Sequence, residues 1–321
     1  MFTVYKSNSL NILLLKAYNI IQKKPLSNIL EKDIFIYDNK ILFQYLNVFF
    51  AEKIGISANF KLYHPNDFIW KLFQIILSKK DLKNTFTHSM MIWKIMKVLD
   101  NEDFLKNSNK KDDKIQKFKF SFLMANIFEQ YIFYRPNWIN EWEIGKNISI
   151  IDQNKKWQIK LWMKIIYNIK KTNQSIHHFS NLFYNFKQLI KEKKIKKKYL
   201  PDRFFIISSF SLHPSYIKIF KKISAYINIY FLCITPYKNN IFHLIENNKI
   251  CLNKKIQEKD VFSDSLITLW GQYEKIYALY IIKSRKTKII NCFQKNKNNN
   301  LLNIIKNDFF HGNKLIKKKD F

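Results

Sequence analysis

Three arginines stand among 56 basic side chains, and one of them, Arg135, lies in the run IFEQYIFYRPNWINEW at 127–142. Glu129, Pro136, Trp138, Glu141 and Trp142 share that run. A guanidinium beside indole rings suits one kind of chemistry in particular. Its planar fork fits a phosphate or a guanine edge, while aromatic faces stack on the bases of a single strand. The same residues also fit a structural role, with the tryptophans as core at helical spacing and Arg135 paired with Glu129 or Glu141. Both readings stand on these residues alone.

Signatures of catalysis are scarce. A phosphate-cradling loop needs glycines whose amides wrap the phosphates, then a lysine and a hydroxyl residue. Gly145-Lys146 resembles only the end of such a loop, with Asn147 where the hydroxyl belongs and Asn140 where the first glycine belongs. Four glycines in 321 residues are also too few for a dinucleotide fingerprint. No HExxH pair, paired CxxC or calcium loop occurs. His177 and His178 are adjacent and point apart on a helix, which favours a capping or solvated role over metal binding. The sequence therefore predicts no catalytic residue and no metal site.

The elements around Arg135 follow from helical spacing. On a helix through 127–135, Phe128, Tyr131, Ile132 and Arg135 share a face, and Glu129 sits beside Ile132 and Phe133. Pro136 disfavours helical geometry at Arg135 and suits the first turn of a second, short helix ending near Gly145. Trp138 and Trp142, four apart, share a face of that second helix. The prediction is a helix corner carrying an exposed arginine next to aromatic rings.

Around that corner the chain alternates strand and helix. TVYKSN is strand-like, Asn8 or Ser9 caps a helix over LNILLLKAYNIIQKK, DIFIYD is a second strand, and ILFQYLNVFFAEKIG is a helix closed by Gly55. ISANFKLY reads as a strand and HPNDFIWKLFQIIL as a helix. Helical spacing then dominates at 88–99, 113–135, 157–170 and 177–195. After Pro201, RFFIIS and INIYFLCIT are near-continuous apolar runs of the kind that forms buried parallel strands, with the helix-like SLHPSYIKIFKKISAY between them. KEKKIKKKY at 191–199 reads as a solvated helix end, and QKNKNNN at 294–300 as a linker. The fold class is α/β, with helices inserted between its two parts.

A formal net charge of +32 favours polyanionic partners, nucleic acid first and an anionic membrane surface second. Lysine, asparagine, isoleucine and phenylalanine abound while glycine, proline and arginine are rare, so AT-biased coding alone also accounts for much of the charge. Cys233, Cys251 and Cys292 are odd in number and widely spaced, which fits a reducing cytoplasm. No leader peptide is expected, and no run reaches the ~18 apolar residues of a membrane span.

Several segments in order, VYKSNSL at 4–10, EKIGISANF at 52–60, FIW at 68–70 and FEQYIFYRPNWINEWEIG at 128–145, resemble the amino-terminal part of the RecC family. LPDRFFIISSFSLHP at 200–214 and LWGQ at 269–272 continue the resemblance. RecC is the non-motor subunit of the bacterial RecBCD helicase-nuclease, the exodeoxyribonuclease V complex. The resemblance implies an inactivated superfamily 1 helicase-like domain with a RecA-like parallel sheet. Its first part spans 1–85, a large helical insertion domain 86–199, its return 200–290, and a linker or disordered truncated end 291–321.

By the same resemblance the chain is a non-catalytic DNA-binding subunit. It guides and scans the 3'-ended single strand (Chi-type recognition) in double-strand break repair by homologous recombination. The alternative is a truncated remnant that binds single strands as a non-specific basic module. The implied partners are RecB-like helicase-nuclease and RecD-like helicase subunits, with single-stranded and duplex-end DNA, and no membrane. The chain itself is expected to need no cofactor; ATP and Mg belong to the partner subunits.

The resemblance assigns DNA-binding roles residue by residue. Gln44 offers an amide to a base edge, Trp70 a ring to a base face, and Arg135 a guanidinium to phosphate or guanine. Asn126 and Glu129 stand where the family has aspartates, and Ile127 and His64 where it has leucines. Asp38 and Lys40 replace a glutamine and a threonine, and Phe179 an arginine, so the altered charge pattern implies an altered sequence preference.

Overall fold

The computed structural model describes residues 1–101, 114–145, 156–208, 212–235, 287–294 and 300–311, apart from 27, 29, 38, 80, 81, 83 and 196. The chain divides into two compact units, a sheet unit of Met1–Ile69 with Leu200–Phe321 and a helical unit of Trp70–Tyr199.

The sheet unit is built on β1 (Phe2–Ser7), β2 (Asp33–Tyr37), β3 (Phe60–Tyr63), β4 (Arg203–Ser208), β5 (Asn228–Ile234) and β6 (Thr287–Asn291). These form one six-stranded sheet of order β3-β2-β4-β5-β1-β6, and every pairing is parallel. The register sets Ile34 opposite Phe204, Ile206 opposite Phe231 and Val4 opposite Phe231. RFFIIS has no polar alternation because β4 is central and covered on both faces; all six of its residues are buried. On one face α1 (Leu10–Lys23) and α2 (Lys40–Ile54) press Leu13, Leu14, Ala17, Leu46 and Phe50 onto Phe35, Phe205 and Leu232. On the other, Phe68 and Phe220 meet Phe204 edge-on at 4.9 and 5.4 Å, carried by α3 (Pro65–Ile76) and α9 (Pro214–Ile223).

Local signals explain most boundaries. Asn39 caps α2 by accepting from the Ile41 amide at 2.9 Å. Gly55 closes α2 at φ +86, where an L side chain is strained. The strand expected over ISANFKLY is confined to Phe60–Tyr63, because Asn59 turns left-handed at φ +62 and breaks the extended run.

The segment 291–321, expected as a linker or disordered end, holds regular structure in part. Leu301–His311 forms a helix, α10, and Phe310 is buried with its ring 5.5 Å from Phe293. Polarity hid it, since NKNNN directly precedes the helix. LWGQ at 269–272, Cys251 and most of 294–300 lie outside the described residues.

The helical unit holds α4 (His88–Asn101), α5 (Lys114–Tyr134), α6 (Pro136–Glu143), α7 (Lys156–Lys171) and α8 (Phe179–Lys191). Its core gathers Phe128 and Ile132 of α5, Trp142 of α6, Trp162 and Ile165 of α7, and Phe179, Phe183 and Phe186 of α8. Among the described residues no helix is long and apolar enough to cross a membrane.

Candidate nucleic-acid interface

Pro136 ends α5 at Tyr134, and Arg135 becomes the N-cap of α6 at φ −126 and ψ 48. Its amide donates to the Tyr131 carbonyl at 2.9 Å while its own carbonyl accepts from the Trp138 amide at 2.9 Å. The backbone is thus held from both sides while the side chain is exposed. The guanidinium carbon lies 5.2 Å from the Trp138 ring centroid. Among the described residues no carboxylate pairs with it, so the alternative of an ion pair to Glu129 or Glu141 is not realised.

The rings beneath are locked by one another. Tyr131 meets Trp138 at 5.7 Å and Trp142 at 5.8 Å, both edge-on, and its hydroxyl donates to the Gln158 side chain at 3.1 Å. Trp142 is buried and Trp138 half-buried. The two tryptophans are packing, as their spacing implies, and Trp138 also offers a face to the arginine.

A polar hub fixes α6 from behind. His178 is 0% exposed and caps α8, its Nδ1 accepting from the Asn181 amide at 3.4 Å. With Nδ1 engaged as acceptor, Nε2 carries the proton and donates to Glu143 Oε1 at 2.7 Å. The same oxygen accepts from Trp162 Nε1 at 3.2 Å. The capping role expected of His178 is present, but a solvated one is not. Nothing in the spacing of the sequence marks Glu143 as the acceptor shared by α7 and α8.

Other residues singled out by the resemblance fall in several environments. Asn126, Ile127 and Glu129 are half-buried along α5, on the same helix that ends at Arg135. Trp70 is 9% exposed, and its Nε1 is buried with no hydrogen-bond partner among the described residues. FIW sits on the inward stripe of α3, where Phe68, Ile69, Leu72 and Phe73 are also buried. Phe179 is buried 6.0 Å from Phe73 and 4.9 Å from Phe133, which accounts for an aromatic at that position. His177 sits 3.4 Å from Lys79, and burial and that ammonium lower its pKa.

In the sheet unit Gln44 and His64 are exposed. Gln44 projects from α2 beside the exposed Ile41 and Val48, and Asp38 lies outside the described residues. A cavity of about 290 Å³ opens at the carboxyl ends of β4 and β5, lined by Leu10, Asn39, Ile41, Leu42, Tyr45, Ser208 and Ile234. Doubly wound parallel sheets bind ligands at that edge. The turn after β1 is tied to the strand-β6 side. Asn8 donates to the Gln294 carbonyl at 2.7 Å and accepts from its amide at 3.1 Å, and Ser7 Oγ donates to the Cys292 carbonyl at 2.8 Å. Among the described residues no cluster of metal-ligating side chains occurs.

Comparison with known proteins agrees with the segments quoted above. Residues 2–312 match the family profile described as RecC, N-terminal domain. The whole chain is 70% identical to the RecBCD enzyme subunit RecC of Buchnera aphidicola subsp. Acyrthosiphon pisum and 49% identical to that of subsp. Schizaphis graminum, spanning 30% of the length of each. Over 96% of the chain it is 26% identical to the RecBCD enzyme subunit RecC of Escherichia coli K12, again over 30% of that protein. The chain belongs to the RecC family, and its match is to the family's amino-terminal domain.

Proposed function

We propose that this chain is the amino-terminal, DNA-handling part of a non-catalytic subunit in a RecBCD-type helicase-nuclease. It guides the 3'-ended single strand and takes part in Chi-type scanning during recombinational repair of double-strand breaks in the cytoplasm. RecB-like and RecD-like subunits supply the motors, and with them ATP and Mg²⁺. The sheet descends from a superfamily 1 helicase-like fold whose phosphate turn now serves a structural contact.

The observation that carries the reading is Arg135, an exposed guanidinium presented on an aromatic platform with its backbone held at both ends. A carboxylate-free arginine is ready to fork onto a phosphate or a guanine edge without first breaking an ion pair. Gln44 and His64 supply exposed side chains for base edges, and Asn126, Ile127 and Glu129 contribute from the half-buried sides of α5.

Fluorescence anisotropy with a labelled single-stranded oligonucleotide tests this. Arg135→Ala weakens binding by on the order of 1 to 3 kcal/mol, and Trp138→Leu weakens it through loss of the platform. The logarithmic salt slope falls by about 0.7 for the lost phosphate contact. Unchanged affinity and slope in Arg135→Ala would remove the reading. A loss that is equal for all oligonucleotide sequences would favour the non-specific basic module.

A further inference from the structure

Between α4 and α7 the helical unit carries a cavity of about 390 Å³, lined in part by Met90, Trp93, Lys94, Lys97, Ile165 and Ile169. Its floor is aliphatic, because Ile165 and Ile169 are the inward residues of α7. Trp93 stands at its edge 64% exposed, a large apolar area to leave in water. From Trp93 the apolar surface continues to Phe118 of α5, 6.3 Å away, and along the exposed Ile115 and Phe122 on the same helix. The two halves of α5 thus differ: Phe128 and Ile132 near its end serve the core, and Ile115, Phe118 and Phe122 near its start remain exposed.

Among the described residues that line the cavity, the charged side chains are Lys94 and Lys97. Helix α7 contains no acidic residue, and the only one on α4, Asp100, is paired with Lys117 at 2.8 Å. Lys94 Nζ donates to the Thr85 carbonyl at 2.6 Å and lies 4.6 Å from the Phe86 ring centroid. Burial there lowers its pKa to about 8, and no carboxylate lines the cavity to offset it. Lys97 stands on the rim.

We infer that the α4–α7 groove docks an amphipathic helical segment of a partner polypeptide, seating a large apolar side chain on the floor and acidic residues against Lys94 and Lys97. Helix-in-groove recognition needs this combination of an apolar trough and complementary rim charge. A single nucleic-acid strand fits it poorly, since strands are held by successive ring faces, whereas the cavity lining holds one ring, Trp93, and the neighbouring Phe118 ring is tilted 57° to it. A second copy fits poorly too. Isologous pairing would set two lysine-bearing faces against each other. The inference stands apart from the DNA reading, because none of its residues belongs to the Arg135 corner.

The test uses the full chain and three labelled probes: a helical peptide with leucine and phenylalanine on one face and glutamates flanking them, the same peptide with lysines for glutamates, and an oligothymidylate. The acidic peptide binds saturably and is released by salt. Trp93→Ser and Lys97→Glu each weaken it about tenfold or more, whereas Arg135→Ala leaves it unchanged. Circular dichroism confirms that the exposed substitutions keep the fold. The proposal is overturned if the acidic peptide fails to bind, if the lysine peptide binds equally, or if oligothymidylate competes it away. It is also overturned if light scattering shows a dimer that Trp93→Ser dissociates.

Discussion

Removing one partner of the Asp33–Arg203 pair should destabilise the sheet unit far more than removing both. Arg203 Nε donates to Asp33 Oδ1 at 2.6 Å and its Nη2 to Oδ2 at 3.0 Å, a bidentate bond between the first residues of β4 and β2. The third nitrogen reaches the Lys24 carbonyl just past α1, and both side chains are almost fully buried. Asp33→Ala leaves a guanidinium with one remaining acceptor and no counter-charge, a loss of about 3 to 5 kcal/mol. At a urea slope near 3 kcal/mol per M, that moves the unfolding midpoint down by roughly 1 to 1.7 M. Asp33→Leu with Arg203→Met removes both charges in similar volumes and should return most of the stability. Circular dichroism gives the midpoints, and hydrogen exchange localises the loss to β2 and β4. A single mutant within about 1 kcal/mol of the parent, or a double mutant as weak as the single, would refute the burial argument.

Two further outcomes follow from the hydrogen-bond geometry. Glu143→Ala strands the buried Nε2–H of His178 and the Nε1–H of Trp162, and should cost about 1 to 3 kcal/mol in urea unfolding. Stability should also fall as pH drops from about 6.5 to about 4, because burial first and Lys218 second lower the His213 pKa to about 4. The unfolded chain takes up that proton at higher pH than the folded chain, so the contribution is intact above the unfolded value and lost below it. His213→Asn keeps a cap acceptor for the Ser215 amide and should flatten that part of the midpoint-against-pH curve.

Arginine scarcity was a legible signal of constraint, but the signal has two physical origins. Arg135 and Arg203, two of the three arginines, both sit at element ends in a lysine-rich chain, and at 203 the position uses a planar, forked donor. At 203 the fork closes a buried carboxylate. At 135 the fork is left open over Trp138. Sequence spacing cannot separate these, because burial of Arg203 depends on Asp33, 170 positions away, entering the adjacent parallel strand. The strand runs were legible because centrality in a parallel sheet removes polar alternation. β6 was missed because TKIIN has only a short apolar run and no central position to reveal.

The corner itself shows why local pattern carried further here than at Trp70. Pro136, the capping carbonyl of Arg135 and the tryptophan spacing are all consequences of contacts within a few residues, so the sequence predicts the geometry correctly. Trp70 lies on a helix whose inward stripe is set by what packs against it, and one exposed-looking aromatic in FIWKLF cannot be told from a core one. The orientation of the corner, in turn, depends on Glu143, which receives bonds from α7 and α8 together. If Glu143 positions the arginine, Glu143→Gln should retain the fold, weaken the buried bonds, and lower single-strand affinity without altering the salt slope. Arg135→Ala lowers both. A gain of affinity in Glu143→Gln would mean that the hub acts on the site through the carboxylate's charge rather than through position.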